Sequence, residues 1–390
     1  MLLAIDIVSY NMNHRERVLA AIRRKPVDYV PCSPFLNPQD SVQRLGKTYN
    51  FPFGPSREET IQYGVEVLDL DMHVSVTWQF FYPDPSVSSR VWMDNNVLHK
   101  TWTTPAGELH SAIRYDEHWP HGYDIPFYTD YSIGRFDDPW ITSEEDLRCL
   151  EHILLPPRTV DQLAKLRFYW HEAKALAGRY GLATMLSAGS GLTGAHQVFD
   201  SERLCILVLD NPELIESYLD FEHRCTMKNY EIALDFGVDI IRRNGFYESC
   251  DFFSPQLLEN LLDKKLSEEI SLVHQTDSVI GYTMLTGYTP QTARLGRLGF
   301  DCIMTPDQFF KGEDPKALYR DAGSASFWTG PSDTLHMPWD DRDAVRQSVR
   351  TTFETFGKEG LILSPCSSAK SPHPWENVIA MIEEWKEQRQ

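Results

Sequence analysis

Residues 238–255, VDIIRRNGFYESCDFFSP, and the stretch that follows them to residue 290 decide the fold of this chain. An apolar run (Val238, Ile240, Ile241) gives way to Arg242, Arg243, Asn244 and, past Gly245, Glu248. Ser254-Pro255 then reads as a helix start, because serine caps a helix well and proline suits its first position. The helical run QLLENLLDKKLSEEISLVHQ follows, and after it VIGYTMLTGYTP, a second short β-like run that ends near Thr286-Gly287. Strand, polar loop, capped helix, strand and polar loop make one βαβ unit. In such units chemistry sits at the carboxyl ends of the strands, which gathers Arg243, Glu248, Tyr282, Met284 and Thr286.

Outward from this unit the same alternation recurs. Residues 14–24 carry Val18, Leu19 and Ile22 at helical spacing, and 27–35 (VDYVPCSPF) reads as a first strand. A helix over 57–63 leads into a second strand over 65–76, with His73 near its far end. A long helix over 160–180 is followed by a strand at 183–187 and the loop AGSGLTGAHQ. Its glycines fit neither a P-loop nor a dinucleotide fingerprint, and a substrate-lining turn is the expectation. Helices broken near Asn211-Pro212 occupy 202–236. Past residue 290, helices over 289–298, 315–321, 341–356 and 375–387 alternate with strands over 301–304, 325–328 and 361–364. This repetition predicts an α/β fold, a closed (β/α)8 TIM-type barrel. Between 78 and 139 the alternation is lost in a stretch rich in aromatics and prolines. There RVWMDNNVLHKTWTTPAGELHSAIRY reads as a β meander turning at Asn95-Asn96 and at 105–107. The expected organisation is a single barrel domain over 1–390, with an aromatic-rich β insertion at 78–139 covering one end.

Composition narrows the function. A chain of 390 residues that is 42% hydrophobic can bury a large core. Its net charge of −19 argues against binding nucleic acid or lying on anionic membranes. Seven scattered cysteines without a CxxC pair suit neither a disulfide framework nor a zinc ribbon. With no long apolar run and no basic, cleavable opening, a soluble cytoplasmic protein is expected. A homo-oligomer is left open.

Candidate site residues lie at the strand ends: His73, Arg243, Asn244, Glu248, Tyr282, Met284, Thr286, His336 and Cys366, with Trp78 at the start of the insertion. Strand alternation should turn one of Arg242 and Arg243 towards the barrel axis. A buried cation needs a partner, so Arg243 and Glu248 are either a structural salt bridge or a substrate clamp. Cys366 is either a small buried side chain or a nucleophile or ligand. His73 is either a satisfied core histidine or a proton carrier. The aromatics from Trp78 to Trp102 are either packing or the wall of a pocket.

Several segments together resemble the uroporphyrinogen decarboxylase superfamily, which includes zinc- and corrinoid-linked methyltransferases. They are RERVLAAIRRKPVDYVP at 15–31, TPAGEL at 104–109, EEDL at 144–147, FFSPQLLENLL at 252–262, GPSD at 330–333 and SPCSSAKSPHPWENVIAMIEEW at 364–385. They are colinear along nearly the whole chain, and the resemblance implies a (β/α)8 barrel. The arginine-bearing stretch that family decarboxylases carry after the first strand has no counterpart in CSPFLNPQD at 32–40. The methyltransferase branch has His-x-Cys-Gly where this chain has Met284-Leu285-Thr286-Gly287, and a cysteine that Cys366 matches. Thioether and hydroxyl are poor zinc ligands, so no zinc is expected; if a metal bound, Glu248 and Cys366 would hold it. Glu248, Asp263 and Met284 fall at the spacing of the Glu-x14-Glu-x20-His pattern of some corrinoid-dependent O-demethylases. The resemblance thus implies a methyltransferase that moves a methyl group from a small methylated substrate to a corrinoid on a partner protein. Glu248, Tyr282 and His73 would be catalytic. Arg243, Asn244, Trp78, Met284, Thr286, His336 and Cys366 would bind the substrate. A cofactor-independent decarboxylase or lyase acting on a small carboxylate, and a degenerate ligand-binding barrel, are the alternatives.

Overall fold

The computed structural model describes residues 12–37, 51–54, 56–370 and 373–390. The opening residues 1–11, residues 38–40 of the CSPFLNPQD stretch and residues 371–372 of the closing motif lie outside them.

Helix α1 (His14–Ile22) opens on a reciprocal cap, in which Asn13 accepts the Glu16 N–H and Glu16 accepts the Asn13 N–H. Its Val18, Leu19, Ala21 and Ile22 are buried against the concave face of the main sheet. Short strand β1 (Leu36–Asn37) and helix α2 (Arg57–Glu66) precede β2 (His73–Ser75). The expected strand over 65–76 is thus shorter at its start, because Val65 and Glu66 complete α2 and Asp69 takes a left-handed φ of 61°. Next come β3 (Ser88–Asp94), β4 (Val97–Thr104), β5 (Gly107–Arg114) and β6 (Phe136–Asp138), an antiparallel sheet in chain order. Its first turn holds Asn95 and Asn96 at φ 46° and 64°, the pair of positive φ values that matches the twist of a two-residue hairpin.

Regular alternation follows: α3 (Glu144–Ile153), α4 (Val160–Tyr180), β7 (Ala183–Ala188), α5 (Gly191–Phe199), α6 (Ser201–Asp210), α7 (Pro212–Phe236), β8 (Ile240–Asn244), α8 (Pro255–Val273) and β9 (Val279–Thr283). It continues with α9 (Thr292–Leu298), β10 (Cys302–Met304), α10 (Pro315–Asp321), β11 (Ser326–Thr329), α11 (Arg342–Phe356), β12 (Leu361–Leu363), β13 (Ala369–Lys370) and α12 (Trp375–Gln388). Ser254 caps α8 with Pro255 at its first position, as the residue types require. No helix among the described residues is long and apolar enough to cross a membrane.

The main sheet is parallel throughout, ordered β12-β11-β10-β9-β8-β7-β2. It is a curled, open seven-stranded sheet that resembles a distorted TIM barrel, and the closed eight-stranded ladder expected from sequence is not formed. The difference lies in residues 27–35. Pro31 and Pro34 have no N–H to donate, so a regular ladder cannot run through them. Cys32 alone forms a parallel bridge, to Leu363. Three backbone bonds span the gap: Ser33 N–H to Leu363 O (2.9 Å), Leu363 N–H to Pro31 O (2.8 Å) and Asp71 N–H to Cys32 O (2.8 Å).

Strand alternation sorts the core into two sets. Ala183, Met185, Ile240, Val279, Cys302, Met304, Trp328 and Ile362 pack on the concave side with α1. Leu186, Ile241, Ile280, Tyr282, Ile303 and Phe327 face the helices. That parity decides which polar side chains at the strand ends reach the interior.

Candidate functional site

Strand β8 ends in Ile240-Ile241-Arg242-Arg243-Asn244. Because Ile240 faces inward and Ile241 outward, Arg242 points to the concave side and Arg243 into the helix layer. Arg243 is fully buried there in an ion network. Its Nη2 donates to Glu248 Oε1 (3.0 Å) and its Nε to Glu269 Oε2 (3.1 Å), while Nη1 donates to the Asn244 carbonyl. Glu248 also accepts the Leu192 N–H (3.1 Å) and the Tyr282 hydroxyl (2.5 Å). Burial lifts the Glu248 pKa above the usual carboxylate range, against the pull of Arg243 and Tyr282. Burial works to lower the pKa of Arg243, yet Glu248 and Glu269 together hold it well above the ordinary value. Tyr282 stacks on Phe300, with ring centroids 4.7 Å apart.

The loop that opens α5 closes over this network. Gly191 sits at φ 44°, and a Cβ there would lie 2.4 Å from Glu248 Oε1 and 2.6 Å from Arg243 Nη2. Gly191 therefore serves close approach to the ion pair, and Gly189 the approach of the Arg243 stem. The loop's residues are not among those lining the strand-end cavity.

That cavity, about 680 Å³, opens on the other side of β8. Arg242 and His73 lie in its wall with Phe35, Phe246, Tyr247 and Leu285. Arg242 Nε donates to Thr283 Oγ1 (3.0 Å), and the guanidinium carbon lies 4.5 Å from the Phe35 ring centroid and 5.5 Å from that of Phe246. It makes no ion pair among the described residues, and burial lowers its pKa to about 10. His73 Nδ1 meets Ser33 Oγ at 3.1 Å, and the ring packs edge-on against Phe35 and Trp328. Burial, helped by Arg242, pushes its pKa down to about 3, so the imidazole is neutral at physiological pH. Its Nε2 has no hydrogen-bond partner among the described residues. Between β5 and β6, Asp130 reaches the cavity and accepts from Gln197.

Of the residues singled out from sequence, His73 lines this cavity, while Arg243, Glu248 and Tyr282 form the network behind its wall. Asn244 takes part through its backbone, donating its N–H to Gly189 O (3.1 Å). Trp78 donates from its indole to Asn229 (2.8 Å), away from the cavity. Met284 is buried beneath β10, and the Thr286 hydroxyl is bound to Asp251 (2.6 Å). His336 packs edge-on against Phe309 and accepts the Ser332 N–H (3.2 Å). Asp263 pairs with Arg294 (2.5 Å) on the helix layer. Cys366 is buried among oxygen atoms, with Gly330 O at 3.2 Å and Pro306 O and Thr329 Oγ1 at 3.4 Å. Burial keeps it a thiol by raising its pKa far above the ordinary range. Among the described residues no three His, Cys, Asp or Glu side chains are grouped to hold a metal ion.

The fold resembles that of a methyltransferase from Methanosarcina mazei. The likeness covers 97% of this chain and 99% of that one, at 16% identity and a TM-score of 0.59. Two vitamin-B12-independent methionine synthases, one from Shewanella and a putative one from Listeria monocytogenes, match more loosely. Their identities are 11% and 15%, their TM-scores 0.42 and 0.41, over 56% and 60% of this chain and 64% and 72% of theirs. No family model matches the sequence, and no curated protein does.

Proposed function

We propose that this chain is a methyltransferase that draws a small methylated substrate into the strand-end cavity and passes its methyl group to a corrinoid on a partner protein. The observation that carries the reading is that cavity, with a neutral imidazole and a guanidinium in one wall, in a fold that a methyltransferase shares along almost the whole chain. With it goes the reading of the chain as one barrel-type domain, in which 78–139 is an insertion that contributes Asp130 to the site.

The corrinoid, when its carrier docks, supplies the nucleophile that takes the methyl group. The chain's own residues have three tasks. Phe35, Phe246 and Leu285 exclude water around the substrate body. Arg242 supplies positive charge that orients the substrate in the cavity, while the leaving heteroatom keeps the bonding electron pair when the methyl group departs. His73, through Nε2, gives that heteroatom a hydrogen bond. Glu248, Arg243 and Tyr282 fix the end of β8 and so aim Arg242; they hold position and do not touch substrate. Zinc does not fit this donor set. Met284 is a core thioether, the Thr286 hydroxyl is committed to Asp251, and the Cys366 thiol sits among carbonyls. No step is assigned to a metal.

The test is methyl transfer from a panel of methyl ethers, thioethers and methylamines to free cob(I)alamin, followed by the absorbance of methylcobalamin. Loss of the signal in His73→Ala with unchanged folding supports the reading. Release of carbon dioxide from a carboxylate substrate without corrinoid would replace it by the decarboxylase reading, which the adjacency of Arg242 and His73 favours. Binding without turnover of any kind would leave a ligand-binding barrel.

A further inference from the structure

The charges around the cavity run against those of the molecule. The chain carries 56 acidic and 37 basic residues, yet among the described residues the cavity wall holds Arg57, Arg242 and Lys370 against one acid, Asp130. Lys370 and Asp130 are committed to partners, whereas Arg57 and Arg242 have no carboxylate partner among the described residues. Lys370 pairs with Asp333 at 2.9 Å, Arg57 donates to the Ser75 carbonyl at 3.0 Å, and Asp130 takes the Gln197 amide. In Arg242 only Nε is used, by Thr283, and neither Nη atom meets an acceptor among the described residues. Its neighbour in sequence, Arg243, shows what this protein does with a structural arginine, which is to give it two carboxylates.

A half-buried cation in a cavity wall, with no counter-charge among the described residues, suits an anion that comes and goes. The guanidinium is planar and offers paired N–H groups that match the two oxygens of a carboxylate. Phe35 and Phe246 lie against the guanidinium and hold it in place, and its outer nitrogens have no partner among the described residues.

We propose that the substrate carries a carboxylate, which binds the two Nη atoms of Arg242, and an apolar body that lies along Phe35, Phe246 and Leu285. The inference rests on the reading of this cavity as the substrate site, but not on the reaction carried out there. It also gives Arg242 a role that the arginine-bearing first loop of the decarboxylases cannot fill here, since CSPFLNPQD has no arginine.

The experiment uses the full chain and three probes: 4-methoxybenzoate, its neutral isostere 4-methoxybenzamide, and inorganic phosphate. Binding is read by calorimetry and by the shift in melting temperature, for wild type, Arg242→Met and Arg242→Lys. A charged hydrogen-bonded pair predicts that wild type binds the acid about 10- to 100-fold more tightly than the amide. Arg242→Met should lose that preference and Arg242→Lys should keep part of it. Without ligand, Arg242→Met should melt at or above the wild-type temperature, because it removes a half-buried cation with no counter-charge among the described residues. Equal binding of acid and amide, a preference that survives Arg242→Met, or no binding of the acid by wild type would overturn the inference. So would phosphate binding in place of the acid, or a clear loss of stability in Arg242→Met. Carboxylate binding through Arg242 in a protein that moves no methyl group would uphold the inference and discard only the reaction.

Discussion

Replacing Glu248 by glutamine separates a framework role from a chemical one. In the folded protein Oε1 takes the Arg243 Nη2 at 3.0 Å and the Leu192 N–H at 3.1 Å, and Oε2 takes the Tyr282 hydroxyl at 2.5 Å. Glutamine keeps the shape and one acceptor oxygen but removes the charge that faces Arg243. Breaking a buried ion pair from one side costs ~3–5 kcal/mol. Glu269 remains 3.1 Å from Arg243 Nε, so the lower end, about 3 kcal/mol, is expected. The Tyr282 hydroxyl must also turn from donor to acceptor against the new amide, which adds about 1 kcal/mol. The assay is urea unfolding followed by tryptophan fluorescence, with probe affinity per folded molecule measured well below the midpoint. A framework residue shifts the midpoint by this amount and leaves affinity for the carboxylate within a few-fold. A variant that unfolds within about 0.5 kcal/mol of wild type but loses binding or turnover would refute the reasoning and return Glu248 to the chemistry.

Further outcomes follow from the same geometry. Gly191→Ala, with a left-handed φ and a Cβ forced onto Glu248 and Arg243, should destabilise clearly more than Gly237→Ala, whose φ is 85° but whose Cβ meets nothing within 4 Å; thermal melts of the two compare contact with strain. His73, pushed to about 3 in the fold from an ordinary 6.5, stays neutral while the unfolded chain gains a proton. Its contribution is therefore complete above pH ~6.5 and lost as pH falls towards 3, with His196 and His373, each near 4, acting in the same direction. A melting profile that is no flatter in His73→Gln would contradict this. Cys366, a buried thiol, should resist iodoacetamide in the native protein and react on unfolding, as peptide mass spectrometry will show. Elemental analysis after dialysis against a weak chelator should find far less than one zinc per chain; one zinc that vanishes in Cys366→Ser would reverse the assignment.

Helices and most strands were legible because their signals are local. Ser254-Pro255 marks the start of α8 by capping chemistry alone, and Asn95-Asn96 marks a hairpin by its tolerance of positive φ. The side of β8 that faces the cavity was not. Strands buried on both faces carry no alternation, and Ile240-Ile241 are both apolar, so nothing local says whether Arg242 or Arg243 turns inward. The inward packing of Ile240 with Met185 and Val279 settles it, and that is a property of the assembled sheet. Phe35 and Phe246 were illegible for a related reason, since an aromatic beside a strand reads as packing until a guanidinium is seen against it. The missing eighth strand had a visible cause in Pro31 and Pro34, but the apolar residues around them, Val30 and Phe35, carry a strand signal that outweighs it in a linear reading.

The single-residue bridge at Cys32 also bears on how the molecule assembles. From β7 onward, each strand of the main sheet pairs with the strand next to it in the chain, so the sheet can grow as the polypeptide lengthens. Closing the gap is different, because its contacts join distant parts of the sequence. Trp328 donates to Ser33 O across 295 residues, Trp385 donates to Val30 O across 355, and Val30 N–H reaches the Arg389 carbonyl. Cys32 and Ser33 can meet Asp71 and His73 early, but Val30 reaches Trp385 and Arg389 only when the last helix has been made. During synthesis on the ribosome the Val30 end of this segment is therefore fastened last, and Phe35 gains Trp328 and the Ala369 N–H only once β11 and β13 have been made. The strand-end cavity, whose wall includes Ser367, Ser368 and Lys370, is then among the last parts of the molecule to close, and a nascent chain that stops short of β13 has its sheet but an unfinished wall.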